Sequence, residues 1–116
     1  MAVCNQLPIY RDSYQLLLEV YQVTNKFARD FKYNLGQDMK RDCLDMVRHL
    51  YNANHDVAAR AEHIDKFLST FEVLKVEIRL CVDMNMLSIN KLAQLSLLME
   101  SISRQARGWR AKSRRK

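Results

Sequence analysis

The sequence has few of the residues that end or bend secondary structure. Its 116 residues include two glycines, Gly36 and Gly108, and one proline, Pro8. An architecture of many short strands needs more of both residues for its turns, so their scarcity favours long helices joined by short connections. The length corresponds to a single domain, and a hydrophobic content of 48% is enough for a core.

Cysteines and long apolar runs are also scarce. Cys4, Cys43 and Cys81 are odd in number and contain no C-x-x-C pair, which argues against a disulfide framework or a zinc site and for thiols in a reducing compartment. No apolar run approaches 18 residues, and the first twelve residues lack the charged lead and apolar run of a signal peptide. We therefore expect a cytoplasmic protein that does not enter a membrane.

Motifs that hold cofactors or metals are missing as well. The sequence has no P-loop, no G-x-G-x-x-G and no G-x-S-x-G. No glutamate is followed by a histidine three residues later, which is the spacing that di-iron helical bundles use. Glu62 and His63 are adjacent and so point to different faces of a helix. We predict no cofactor, no metal site and no catalytic residue.

Apolar residues recur at helical spacing in four segments. In the segments 64–81 and 92–109 the apolar residues alternate steps of three and four residues. The segment 35–53 begins with two steps of four and then follows the same pattern, which is typical of the seams of helical bundles. Their apolar positions are Leu35, Met39, Cys43, Met46, Leu50 and Ala53, then Ile64, Phe67, Phe71, Leu74, Ile78 and Cys81, then Leu92, Leu95, Met99, Ile102, Ala106 and Trp109. The first segment is apolar around more of its circumference, with Tyr10, Tyr14, Leu17 and Tyr21 and, alongside them, Leu16, Leu18 and Val20. That width predicts burial on more than one side, inside the bundle or against another subunit.

Local sequence predicts where these helices begin and end. Pro8 suits a first helical turn, residues 52–56 supply a stop and new caps, and Ser88 is a good N-cap. The predicted helices are 8–29, 33–54, 57–84 and 88–110. Short connections make consecutive helices antiparallel, so the predicted fold is all-α, an antiparallel up-down-up-down four-helix bundle over residues 1–110. Residues 111–116 are predicted to be a basic disordered tail.

Positive charge is concentrated at one end of the chain. The net charge is +6, yet residues 104–116 hold seven Lys or Arg and no acid, which leaves 12 basic and 13 acidic residues elsewhere. Such a block repels itself unless an anionic partner neutralises it, and phosphate backbones are the commonest partner. The predicted nucleic-acid-binding residues are Arg104, Arg107, Arg110, Lys112, Arg114, Arg115 and Lys116, with a smaller group, Arg29 and Lys32, at the opposite end of the bundle.

Other interpretations of the same residues stay open. Trp109 could stack on a base, but it continues an apolar seam in register, which favours core packing. Arg48 and His55 have the spacing of the R-x(4–6)-H element of helical-bundle ribonucleases, although cations near the end of a helix are ordinary. The alternatives to nucleic-acid binding without catalysis are therefore a ribonuclease and a purely protein-binding helical adaptor.

Three motifs along the chain resemble those of one family. They are FARDFKYNLG at 27–36, Ala53-Asn54, and Gly108-Trp109. They are similar to an F-P-(R/K)-x-x-(R/E)-(F/Y)-x-L-G run, an AN dipeptide and a closing G-R-x-L-G-x-W-like run. The chain thus resembles the Avd-type (bAvd) accessory proteins of diversity-generating retroelements, which are related to proteins encoded in 23S ribosomal RNA intervening sequences. Ala28 replaces the usual proline, which predicts a more continuous first connection, and Ser103 replaces a glycine of the closing motif.

The resemblance implies a four-helix bundle that assembles as a homopentameric barrel. It also implies a basic surface that binds nucleic acid, either RNA or DNA, and a partner reverse transcriptase, with no catalysis of its own. The pentamer follows from the resemblance alone. The wide apolar face of the first helix independently predicts a homo-oligomer, because a monomeric bundle cannot bury that face.

Overall fold

Four long helices and one short helix account for most of residues 6–114, which are the residues that the structure, a computed structural model, describes. The helices are α1 (Pro8–Asn25), α2 (Arg29–Lys32), α3 (Leu35–His55), α4 (Arg60–Asp83) and α5 (Ile89–Arg114). α1 lies beside α3, α3 beside α4, α4 beside α5, and α5 returns to α1. The predicted four-helix bundle is confirmed, with dimensions of 48 × 24 × 21 Å.

Caps explain where the helices begin and end. The Ser88 hydroxyl accepts a hydrogen bond from the Lys91 amide at 3.0 Å, so Ser88 caps α5 as predicted. Asp56 accepts from the Ala59 amide at 3.2 Å, and this capped turn delays the start of α4 from the predicted position 57 to Arg60. At the end of α4, Asn85 takes the left-handed conformation with φ 61°, and the Met86 amide reaches the Cys81 carbonyl at 2.7 Å.

The first connection is interrupted, contrary to the predicted helix 8–29 and to the continuity expected from Ala28. α1 ends at Asn25, and Ala28 has φ −57° and ψ 151°, the extended conformation that a proline also adopts. The Ala28 carbonyl then accepts from the amide of Lys32 at 2.9 Å. Phe27 is buried in the core. The chain thus leaves the helical path at the point where the Phe27 ring packs into the core.

The predicted seams of the last three long helices form the core. Their buried members are Met39, Cys43, Met46, Leu50 and Ala53 on α3, Ile64, Phe67, Phe71, Leu74, Ile78 and Cys81 on α4, and Leu95, Met99, Ile102 and Ala106 on α5. Leu35, Leu92 and Trp109, at the ends of these seams, are partly buried against the core. Burial of this many apolar side chains is the main stabilising contribution to the bundle.

The inward face of α1 matches the predicted apolar face only in part, because Leu16 and Val20 are buried and Tyr10 and Leu17 pack against the core, whereas the other two tyrosines do not. Its buried residues are Ile9, Ser13, Leu16, Val20 and Thr24. Tyr14 and Tyr21 are 46% and 40% exposed, so their predicted burial inside the bundle is wrong. The reason is that two apolar sets share this helix, and the branched aliphatic set pairs with the facing helices while the phenol groups stay near water. Burial of the tyrosines against another subunit remains a prediction.

Polar side chains fix the position of α5 against α1. Asp12 accepts hydrogen bonds from the Ser101 hydroxyl at 3.1 Å and from the Gln105 amide at 2.7 Å. Glu19 pairs with Lys91, and this hydrogen bond lowers the pKa of Glu19. These contacts set the position of the helix that carries most of the predicted binding residues.

Two carboxyl groups lie between α3 and α4. Asp42 is buried, and partial burial of Glu77 together with the neighbouring Asp42 raises the pKa of Glu77 to about 8. Cys43 and Cys81 are buried free thiols, and burial raises their pKa values to about 12 and about 11. These two thiols are therefore poor nucleophiles at neutral pH. Cys4 lies outside the described residues.

Candidate nucleic-acid interface

The C-terminal half of α5 lies at the end of the bundle where α1 begins and α3 turns into α4. Arg60 connects these elements, because its guanidinium donates to the carbonyls of Ala53 at 2.8 Å and Asn54 at 3.1 Å. Those carbonyls belong to the last turn of α3, where free acceptors need partners. The same guanidinium lies 5.3 Å from the centre of the Trp109 ring. Trp109 is thus built into this end of the bundle, with one face against the core.

An acid on α4 holds two of the predicted binding residues. Asp65 lies 2.5 Å from Arg110 Nε and 2.8 Å from Arg114 Nη2. Arg110 and Arg114 are about one helical turn apart, so a single carboxylate can bridge them. Their charges are partly neutralised within the protomer, and only Arg114 has its side chain more than half exposed.

α5 is longer than predicted, and contacts made by its last residues accompany the extra length. The Ser113 hydroxyl donates to the Trp109 carbonyl at 2.8 Å, and no proline or glycine follows position 108. α5 continues to Arg114, so the prediction of a disordered tail is wrong for residues 111–114. Arg115 and Lys116 lie outside the described residues.

Arg104, Arg107 and Lys112 are the more available cations of this helix. The side chains of Arg104 and Arg107 are 71% and 59% exposed, and their acidic neighbours Glu100 and Glu72 lie at 4.0 and 3.9 Å. Lys112 is exposed and makes no ion pair within residues 6–114. At these distances and exposures the ion pairs contribute little, so an anion from outside can replace them.

An open groove of about 580 Å³ runs between α4 and α5 beside these cations. It is lined by Lys75, Ser96, Met99, Glu100, Ser103, Arg104 and Arg107. Three of these side chains are cationic and one is acidic. The groove extends the basic surface from α5 onto α4, because it brings Lys75 of α4 next to the arginines of α5. The sequence alone does not predict this proximity.

The second predicted group, Arg29 and Lys32, lies at the opposite end of the bundle, as expected. Both residues belong to the short helix α2, with Asp30 between them. Arg29 is exposed and Lys32 is partly buried. This end therefore offers a smaller and more mixed charge than the end of α5.

Arg48 and His55, the residues of the ribonuclease alternative, lie on one face of α3. Each has a partner on its own helix, because Arg48 contacts Asp45 at 2.6 Å and His55 Nδ1 lies 3.0 Å from the Tyr51 carbonyl. The His55 ring also stacks on Tyr51, with the ring centres 4.2 Å apart. These contacts are typical of a capped and solvated helix end.

A histidine–aspartate pair that the sequence does not predict joins Asp56, in the turn between α3 and α4, to His63 in the first turn of α4. His63 Nε2 is 3.1 Å from Asp56, and this hydrogen bond lowers the pKa of Asp56. Asp56 also caps the turn, so the pair has a structural role. Asp56 lies in the 52–56 segment that the sequence predicts to supply caps. Asp65 and Arg60 act through contacts between different helices, and no local spacing in the sequence indicates them.

Metal-binding and membrane-spanning features are missing from residues 6–114. No group of three or more His, Cys, Asp or Glu side chains is placed to bind a metal ion within this range. None of the described helices combines the length and apolar character needed to cross a bilayer.

Residues 7–113 match the family model described as bAvd-like, which covers all four long helices. The chain belongs to this family. It is accordingly an Avd-like accessory protein, as the resemblance implied. A search of curated proteins finds no match to the chain.

Proposed function

We propose that this chain is a non-catalytic accessory protein that binds RNA or DNA through the basic end of α5. In this proposal it acts as an oligomeric scaffold for the reverse transcriptase of a diversity-generating retroelement. The observation that carries the nucleic-acid part is the exposure of Arg104, Arg107 and Lys112 on one helix end, with only weak internal ion pairs. Arg114, Arg115 and Lys116 extend the same charge.

Binding of this kind is driven by release of counterions from the phosphates. Each phosphate that a cation neutralises steepens the salt dependence of the affinity. Such contacts position the strand without reading its sequence. The available cations of α5 point from a rigid helix that Asp12 and Glu19 fix against α1, so they form a preordered surface.

The test is a salt titration of binding by the full-length protein to single-stranded RNA, duplex RNA and duplex DNA. We expect the affinity to fall steeply with salt, with a log–log slope of about −3 or steeper. Binding that is absent, or that does not change with salt, would contradict the proposal and favour the protein-binding adaptor.

The proposed oligomer rests on two exposed apolar patches. One is on α1 and contains Tyr14, Leu18 and Tyr21, and the other is on α4 and contains Val73, Val76 and Leu80. Because α1 and α4 are diagonal in the bundle, the patches face opposite sides of the protomer. A ring joins two different patches on each subunit, whereas a twofold dimer uses one patch twice. This arrangement favours a ring, and the family resemblance favours five subunits.

Light scattering of two single variants tests this ring. Leu18→Lys and Val76→Lys alter residues that are exposed in the protomer, so both variants should fold. If the two patches meet, each change alone dissociates the oligomer at micromolar concentration. A wild-type protein that is monomeric at this concentration contradicts the oligomer, and dissociation by only one variant contradicts the two-patch interface.

The absence of catalysis and the partner are tested separately. We expect that neither the wild-type protein nor the His55→Ala variant cuts nucleic acid. A nuclease activity that is present in the wild type and lost in the variant would support the ribonuclease alternative instead. For the partner, we expect a reverse transcriptase gene and a template repeat near the gene for this chain, and copurification of the two proteins. A neighbourhood without that gene would contradict the retroelement assignment.

A further inference from the structure

Gly108 has no internal reason to be a glycine. It lies within α5 and is exposed. Apart from its chain neighbours and the backbone of its own helix, a Cβ atom added to it would meet no atom within 4 Å. Glycine in the interior of a helix is destabilising relative to alanine. Gly36 differs, because a Cβ there would lie 3.3 Å from the Phe31 carbonyl oxygen and 3.5 Å from the Phe27 ring. The packing of the protomer accounts for Gly36 but leaves Gly108 unexplained.

Two neighbours of Gly108 on the helix surface are cations. Arg104 and Lys112 lie four residues before and after it, so the three residues form one ridge along α5. At a rise of about 1.5 Å per residue, the Cα atoms of the two cations are about 12 Å apart along the axis. Trp109, by contrast, faces the core. The outer surface therefore presents bare helix backbone between two exposed positive charges.

We infer that this ridge, Arg104–Gly108–Lys112, is where the sugar–phosphate backbone of the nucleic acid lies against α5. The missing side chain lets the strand approach the helix closely enough for both cations to contact phosphates at the same time. Contacts between charged groups are strong only at hydrogen-bonding distance, so a methyl group that lifts the strand weakens both. This inference rests on the proposed nucleic-acid binding and names its contact surface.

The inference predicts opposite effects of one substitution. In the full-length Gly108→Ala variant, we expect the melting temperature to rise by about 3–6 °C, since alanine favours the helix. We expect affinity for single-stranded and duplex RNA to fall by about five- to twentyfold, and the salt slope to become shallower by about one unit. A matched control is Asn90→Ala, an exposed position on α5 some 27 Å away along the helix. It should leave binding unchanged.

The outcomes separate the inference from the function on which it rests. A Gly108→Ala protein that binds with unchanged affinity and salt slope, while the wild type binds, overturns the inference alone. Loss of binding that accompanies dissociation of the oligomer in light scattering also overturns it, because Gly108 then serves contact between subunits. If the wild-type protein shows no salt-dependent binding, the proposed function fails and the inference fails with it. Gly108→Ser repeats the test with a polar side chain.

Discussion

Gly36 and Gly108 lie at opposite ends of the bundle, and the surroundings of the two glycines differ. Gly36 is buried where α3 starts, and its lack of a side chain makes room for Phe27 and for the carbonyl of Phe31. Gly108 lies on the outside of α5, where nothing in the protomer needs the room. The first end of the molecule is thus explained by its own packing. The packing of the protomer explains the basic end only in part, and we propose that its exposed cations and Gly108 serve nucleic-acid binding.

The largest effect on stability should come from removing the Trp109 side chain, which is the part of the basic end that packs inside the bundle. Trp109→Ala removes a ring that packs on the core and under the Arg60 guanidinium. Because the ring is only partly buried, we expect a loss of about 2–3 kcal/mol in the free energy of unfolding. Chemical denaturation measures this loss. Unchanged stability together with lost RNA binding would mean that Trp109 stacks on a base instead.

At the other end, Gly36→Ala should destabilise the protein by about 1–2 kcal/mol, because a methyl group there forces the Phe31 carbonyl to move. RNA affinity of the folded protein should not change, in contrast to Gly108→Ala. Denaturation and binding of the two alanine variants, measured side by side, decide this. If Gly36→Ala and Gly108→Ala change stability in the same direction, the claim that only Gly36 is required by internal packing is contradicted.

In the middle of the bundle, Glu77 should make the free energy of unfolding depend on pH, and this residue should have no effect on nucleic-acid binding. The pKa of Glu77 in the folded protein, about 8, lies above its ordinary value, so the folded state binds more protons than the unfolded state at intermediate pH. The free energy of unfolding should therefore fall as pH rises from about 4.5 to about 8.

Glu77→Gln should remove most of this fall and stabilise the protein at pH 9 by about 1 kcal/mol, a modest amount because the side chain is only partly buried. Thermal unfolding of both proteins across this pH range is the measurement. Parallel pH curves would show that Glu77 ionises freely in the fold.

The smallest effect concerns the first connection. Ala28 has φ −57°, and within residues 6–114 its amide donates no backbone hydrogen bond. Ala28→Pro should therefore stabilise the protein by about 0.4–1 kcal/mol through a more restricted unfolded chain. A lower melting temperature in this variant would mean that the residue before it, Phe27, cannot accommodate a proline.

Periodicity predicted the three seams of α3, α4 and α5 because their apolar positions recur in steps of three and four residues along one face of each helix. It failed for α1, where Tyr14 and Tyr21 share the helix with Leu16 and Val20, and only the positions of the other helices decide which set turns inward. The basic block was visible as composition. Its division into held and available cations depends on Asp65, which lies 45 residues before Arg110 in the chain, and local spacing carries no information at that separation.

The interruption after Asn25 was missed for a related reason. The segment around Ala28 contains no proline or glycine, so local propensity allows the helix to continue. Burial of Phe27 under the end of the bundle opposes that propensity. Tertiary contacts, and not local sequence, therefore set this boundary.

The most direct test of the account compares the two basic groups at equal charge. One full-length variant carries Gln at Arg104 and Lys112, and the other carries Gln at Arg29 and Lys32, so each loses two positive charges. Log affinity for RNA is measured against log salt for both variants and the wild type. We predict that the slope becomes shallower by about 1.4–1.8 units per protomer in the first variant and by less than about 0.5 in the second. Equal changes, or a larger change in the second variant, would contradict the claim that the end of α5 contacts the phosphates.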